Sequence, residues 1–272
     1  TTAWDTSNVT TMSYMFSGCS SLKSIDLTLL NTSNVTDMSC MFLSCKGLTS
    51  IGPSPLDTSN VTDMSGMFRD CTNLVSLDLS SLNVSHCELL TDSELNSNGG
   101  VSSRKGGMFF ECSSLSDLTL PNFTSLITKT TCLFMNCKSL TNLDLSLLDT
   151  SNVTDMAYMF HGCDFTSIDL SSLNTSSVTH MNEMFSWCRN LIRLDLSNFN
   201  TKNLISMNNM FDASNNLNSI TLGTNFAFIG SDYYLPTGTW YSSDGTAYES
   251  SLNGISYSCN IPNNKADTYT RR

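Results

Sequence analysis

The chain alternates short apolar and polar runs in an order that repeats along most of its length. DTSNVTTMSYMFSGCSSLKSIDL (Asp5–Leu27) is followed by NTSNVTDMSCMFLSCKGLTSI (Asn31–Ile51) and DTSNVTDMSGMFRDCTNLVSLDL (Asp57–Leu79), and the pattern returns at Asp149, Asn174 and Asn200. The Phe after each Met marks the period: Phe16, Phe42, Phe68, Phe109, Phe134, Phe160, Phe185 and Phe211, at intervals of 26, 26, 41, 25, 26, 25 and 26 residues. These intervals give eight coils and one long insertion. A fixed period of this size means stacked units that bury one continuous core between neighbours.

Within a coil each segment has its own task. Leu22-Lys-Ser-Ile25-Asp-Leu27 fits L-x-x-L-x-L, whose alternate residues point inward from a short strand, and the spacing recurs at Leu74/Leu77/Leu79, Leu115/Leu118/Leu120, Leu140/Leu143/Leu145 and Leu191/Leu194/Leu196. A Thr-Ser-Asn turn follows, its Asn column including Asn8, Asn34, Asn60, Asn152 and Asn203. Such amides can bond backbone groups that the turn leaves unpaired. Next, a segment such as Val35-Thr-Asp-Met38-Ser-Cys-Met41-Phe42 delivers Val, Met, Met and Phe to the core. Of the 14 methionines, all but Met135 fall in the two columns headed by Met12 and Met15. Methionine enrichment can mean a metal site or an adaptable groove, but a fixed repeat position favours stacked core.

Two places break the pattern. Gly52, Pro53, Ser54 and Pro55 interrupt the strand of the second coil, since proline cannot donate to a ladder. The fourth coil lacks TSNVT, and Asn83–Gly107, with SELNSNGG and SSRKGG, reads as an inserted loop.

Composition narrows the function. Charged residues are 14% of the chain and the formal net charge is -11. An acidic surface without a Lys/Arg cluster repels phosphate backbones, which argues against nucleic-acid binding. No apolar run reaches the length of a membrane span. The chain begins inside a repeat, with Trp4 in the slot of Leu30 and Leu56, so upstream sequence is expected.

Candidate chemistry is thin. Seven of the 11 cysteines share one column (Cys19, Cys45, Cys71, Cys112, Cys137, Cys163 and Cys188), and Ser214 takes the slot in the eighth coil. A column that accepts Ser reads as small buried residues with free thiols. No C-x-x-C supports zinc, and Cys40 and Cys132, three coils apart, are too far to bridge. His86, His161 and His180 occupy variable slots and read as solvated surface residues, with no triad around them. Asp26, Asp78, Asp144, Asp169 and Asp195 fill the outward position of L-x-L. Calcium is the alternative use of such a column, but one carboxylate per coil is sparse for six or more oxygen ligands. The chain reads as a non-enzyme without a cofactor.

The TSNVT, MF-x-x-C and LDLS elements recur together from about Trp4 to Leu222, and so this sequence resembles the 26-residue leucine-rich repeat of bacterial surface proteins, of BspA-like, listerial and mycoplasma-lipoprotein type. LPTGTWYSSDGTAY (Leu235–Tyr248) and the ending DTYTRR resemble the unit that closes such arrays. The resemblance implies a cell-surface, extracellular protein, often an adhesin, and carries over no catalytic residue.

The expected fold is thus a right-handed leucine-rich repeat solenoid of short parallel strands joined by turns or short helical segments. It has eight coils over 1–222, an insertion over 83–107, and a capping unit over 223–272 that includes Trp240, Tyr241, Tyr248 and Tyr257. Two functions remain open. One is an adhesin-like binding module for a host or neighbouring-cell protein or glycan, as a monomeric fragment of a longer chain. The other is a spacer within a larger surface protein. Candidate contact residues are Glu88, Asp92, Glu94, Arg104 and Lys105 in the insertion and Asp144, Asp169, Arg193 and Asp195 on the strand face.

Overall fold

The computed structural model describes residues 4–51, 56–95, 101–102, 105–253 and 256–272. Gly52, Pro53, Ser54 and Pro55, where the sequence places a break, lie outside them, as does Arg104. Parallel pairing joins Thr11 to Asp37, Asp37 to Asp63 and Asp63 to Leu89, and later Lys129 to Asp155, Asp155 to His180 and His180 to Ser206. Once per repeat the backbone therefore returns beside itself, one rung further along.

The most regular rung lies in the Met–Phe segment. The N–H groups of Met12, Tyr14, Phe16 and Gly18 donate to Asp37, Ser39, Met41 and Leu43 of the next coil at 2.8, 3.0, 2.9 and 2.7 Å, and coil 2 repeats this onto coil 3. Alternate N–H groups close local turns instead, Met15 onto Met12 at 3.2 Å and Cys19 onto Phe16 at 3.1 Å. The third residue of each turn is left-handed. One column holds Tyr14, Cys40, Gly66, Cys132, Tyr158, Glu183 and Asn209 with φ between 53° and 61°, and the other holds Gly18, Ser44, Asp70, Glu111, Asn136, Gly162, Trp187 and Ala213 between 56° and 75°. No helix forms among the described residues, so turns alone connect the coils.

Among the described residues ten short strands form: β1 (Ser76–Asp78), β2 (Glu94–Leu95), β3 (Val101–Ser102), β4 (Asp117–Thr119), β5 (Arg193–Leu196), β6 (Ser219–Leu222), β7 (Gly238–Tyr241), β8 (Ala247–Asn253), β9 (Ser256–Cys259) and β10 (Asp267–Arg271). In the L-x-L segments, β1 pairs with β4 and β5 with β6, both in parallel. The matching segments of coils 1, 5 and 6, at Ile25–Leu27, Leu143–Leu145 and Ile168–Leu170, form no strand, against the expectation of one per coil. Coil 6 is also one residue short. Cys137 and Leu145 are separated by eight positions, whereas Cys163 and Leu170 are separated by seven, and Phe165 takes the place of the Leu140 slot one residue early. A one-residue slip sets coil 6 out of step with coil 5, while Ile192 and Arg193 of coil 7 still donate to Thr166 O of coil 6 at 2.9 and 3.3 Å.

The Met, Phe, Val and Leu columns form one core. Its spine is a ladder of phenylalanine rings from Phe16 to Phe211, centroids 5.4 to 6.4 Å apart and planes within 13° of parallel. These separations exceed ring-on-ring contact, so the rings stack offset, as their quadrupoles favour. Phe165 adds an edge-on contact to Phe160 at 5.9 Å. At the far end β10 pairs antiparallel with β6 and with β7, and β7, β8 and β9 continue the sheet. Trp240 is fully buried there and donates its indole N–H to Pro236 O at 3.0 Å. Tyr269 is equally buried, a core residue that the repeat pattern does not mark.

Candidate functional site

Polar columns of the repeat are engaged within the stack. The Asp or Asn that opens each turn accepts the N–H two residues on, as Asp5 does from Ser7, Asn31 from Ser33 and Asp149 from Ser151. The Thr after it is buried and donates to the next coil, Thr32 to Asp57 O at 3.0 Å and Thr58 to Asn83 O at 2.7 Å. Asn34, Asn60, Asn152 and Asn203 donate their amides to a serine carbonyl 27 residues back, at 2.7 to 2.9 Å. The Asn column therefore ties coil to coil.

The cysteine column does the same by another route. Sγ of Cys45, Cys71, Cys112, Cys137, Cys163 and Cys188 lies 3.0 to 3.2 Å from the Phe carbonyl of the preceding coil, and Ser214 Oγ makes the equivalent bond to Phe185 O at 2.6 Å. Ser replaces Cys here because the slot needs a compact donor. All eleven cysteines are free thiols. Burial pushes Cys45 up to about 11 and Cys71 up to about 12, which leaves them protonated and unreactive near neutrality.

The insertion begins later than the sequence suggests. Asn83–Leu90 is a complete turn in disguise: Asn83 accepts Ser85 N–H, His86 Nδ1 donates to Ser59 O at 2.8 Å in the Asn role, and Cys87 and Leu90 fill the Val and Met slots of the core. Glu88 and Leu89 donate to Thr62 O as a regular coil does. Glu88 itself is exposed. The extra segment leaves the coil at Thr91, which pairs antiparallel with Gly107, and β2 pairs antiparallel with β3. Its root is charged. The Asp92 carboxylate accepts the N–H groups of Lys105 and Gly106, and Lys105 Nζ reaches Asp63 at 2.6 Å. Burial works to lower the pKa of Lys105, but the Asp63 carboxylate outweighs it and the net shift is upward. Asp92 thus closes the root of the insertion, and Lys105 fastens that root to coil 3. Gly66 is required beneath it, since at φ 61° a Cβ would collide with the Lys105 carbonyl.

On the L-x-L face Asp144, Asp169, Arg193 and Asp195 are exposed, as expected. The carboxylates do more than repel one another. Asp144 accepts the Ser146 N–H and Asp169 the Ser171 N–H, each at 2.9 Å, and these serines hold both carboxyls below the usual carboxylate range. Between coils 5 and 6, where the ladder fails, a cleft of about 570 Å³ opens with Asp144 and Asp169 at its rim and Phe134, Phe160 and Leu140 within.

A second group was missed by the repeat reading. His161 and His180 are half-buried, unlike the solvated surface positions expected, and of the three only His86 is exposed. The left-handed column projects Tyr158, Glu183 and Asn209 to one side on successive coils, and Glu183 accepts from the Tyr158 hydroxyl at 2.9 Å. His161 Nδ1 lies 3.3 Å from the other Glu183 oxygen. Burial acts to raise the pKa of Glu183, yet the imidazole, the hydroxyl and the Asn209 amide outweigh it and hold the carboxyl below its ordinary value.

The sequence matches the family described as Mycoplasma protein of unknown function, DUF285, over residues 1–94 and 105–224. The chain belongs to this family. The DUF285 match skips residues 95–104, the distal part of the insertion, and resumes at Lys105 where the insertion is fastened to the stack. Among curated proteins none matches. A leucine-rich repeat protein from Bacteroides ovatus of known crystal structure is similar at 15% identity, covering 75% of this chain and 46% of that one, with a TM-score of 0.32. The chain thus spans less than half the length of that protein. Among the described residues of this DUF285 chain no three His, Cys, Asp or Glu side chains converge to hold a metal, and no helix is long and apolar enough to cross a membrane.

Proposed function

We propose that this DUF285 repeat chain is a non-catalytic binding module of a bacterial cell-surface protein, folded as a right-handed solenoid and displayed outside the cell. In this reading the partner is a host or neighbouring-cell protein or glycan. It lies against the L-x-L face, with Asp144, Asp169, Arg193 and Asp195 as contacts.

The observation that carries the reading is the cleft of about 570 Å³ between coils 5 and 6. A spacer is served best by an unbroken ladder, because each missing rung leaves backbone groups to be satisfied by something else. Here the break combines an apolar floor with a polar, partly anionic rim, the make-up of a ligand site. The insertion is a second surface, set on the Met–Phe segment of the coil, and Glu88 is exposed on the regular turn just before it. The side chains of Glu94 and Arg104 lie outside the described residues.

A binding screen against host extracellular proteins and glycans tests this. It uses the wild-type chain, the pair Asp144→Ala/Asp169→Ala, and a chain whose residues Ser85–Lys105 are replaced by a regular repeat segment. Loss of at least about tenfold in affinity, some 1.4 kcal/mol, in the double Ala variant places the partner on the cleft. The same loss in the replaced chain moves it to the insertion. A screen in which the folded wild type retains no partner supports the spacer instead.

A further inference from the structure

A second hollow lies on another flank of coils 5 to 7, where the rungs Asn136 N–H to His161 O and Gly162 N–H to Ser186 O are intact. There Asn136, Lys138, His161, Asp164, Trp187 and Arg189 line a cleft of about 310 Å³ that crosses coils 5, 6 and 7. This cleft is separate from the L-x-L face and stands whether or not that face binds anything.

Trp187 marks it. Its column is left-handed in every coil, and the others fill it with Gly, Ser, Asp, Glu, Asn or Ala. A bulky side chain at φ 60° is strained, and here the indole is also 45% exposed, so neither backbone conformation nor core packing accounts for its choice. Arg189 stacks its guanidinium 4.6 Å from the indole centre, which fixes a cation beside an open aromatic surface. Lys138, exposed on coil 5, brings a second cation to the same cleft, whose lining holds one carboxylate, Asp164. Two cations against one carboxylate is a local excess of positive charge in a chain with 13 Lys and Arg against 24 Asp and Glu.

We propose that this cleft binds a saccharide carrying a carboxylate. The indole offers a flat apolar face to the C–H side of a sugar ring. Arg189 and Lys138 meet the carboxylate, where a guanidinium can bond both oxygens at once. Asn136 and Asp164 supply the donors and acceptors that sugar hydroxyls need. A purely apolar ligand would leave those groups without partners in a closed complex, and a neutral sugar would leave the cations unused.

The test pairs acidic and neutral glycans of matched size: 3′-sialyllactose against lactose, and a galacturonate trimer against a galactose trimer. Binding to the full chain is followed by calorimetry and tryptophan fluorescence. The informative variant is Trp187→Gly, because glycine is the residue that the backbone itself prefers there and the fold should melt no lower than wild type. The proposal expects an acidic sugar to bind, its neutral counterpart to bind at least about tenfold more weakly, and Trp187→Gly to abolish binding while melting normally. It also expects Arg189→Ala with Lys138→Ala to erase the acidic preference. Equal binding of acidic and neutral sugars overturns the carboxylate assignment. Binding unchanged in Trp187→Gly, or no binding of any of the four by the wild type, overturns the site.

Discussion

At the scale of single residues, the repeat is governed by donors and by left-handed turns. Ala213 sits at φ 56° in a column that Gly18 and Gly162 share. A left-handed non-glycine residue costs roughly 1–2 kcal/mol, against about 0.5–1 kcal/mol of chain entropy that glycine loses on folding. Ala213→Gly should therefore stabilise the chain slightly, by up to about 1 kcal/mol, whereas Ala→Gly in ordinary structure destabilises. Urea melts decide the sign. The thiol column makes a matching test. Cys137→Ser keeps a donor for Phe109 O, as Ser214 does for Phe185 O, while Cys137→Ala removes it. Chemical denaturation should show the Ala variant losing about 0.5–1.5 kcal/mol more than the Ser variant. Equal losses would mean that the sulfur acts by volume alone.

At the scale of elements, the cleft on the L-x-L face lies beside coil 6, which is one residue short between Cys163 and Leu170. Inserting one Ser between Asp164 and Phe165 restores the spacing of coil 5, so the segment holding Ile168–Leu170 should come into register with Leu143–Leu145 and take up ladder bonds. Amide exchange from that segment should slow, since exchange reports local opening. Unchanged exchange there would show that the slip is not what breaks the ladder. The insertion behaves differently: it leaves and rejoins the stack without disturbing the core, and the Phe68–Phe109 spacing across it, 6.2 Å, is within the range of the other rungs.

At the scale of the whole molecule, stability is shared along a single core whose spine is the phenylalanine ladder. Phe160 is central, about 1% exposed, and touched by Phe134, Phe165 and Phe185. Phe160→Ala should cost about 3–5 kcal/mol through lost burial and a cavity. A loss under about 1 kcal/mol would mean that the site collapses freely. Thiol accessibility reads the same core from outside. In native protein at pH 8 a thiol reagent should modify Cys19, which is exposed, and more slowly the half-buried Cys259, while the buried thiols react only after denaturation. Fast modification of Cys112, Cys137 or Cys163, which burial holds well above the ordinary thiol pKa, would show the stack opening in the native state.

The sequence by itself determined the core columns, because each recurs at a fixed spacing and a stacked repeat turns spacing directly into position, and it marked the presence of the insertion though not where it begins. It also marked the Asn column as a backbone partner. What only the tertiary structure decided are the features that arise between coils. The continuous ladder sits in the Met–Phe turns because left-handed residues aim alternate N–H groups along the stack, and no residue type announces that in a column shared by Tyr, Cys, Glu and Asn. Asn83–Leu90 hid its regular turn by changing nearly every side chain while keeping the bonds. The interval of 25 between Phe160 and Phe185 recorded the shorter coil 6, but the clefts beside it, with Asp144 and Asp169 at one and Trp187 at the other, depend on where the neighbouring coils stand.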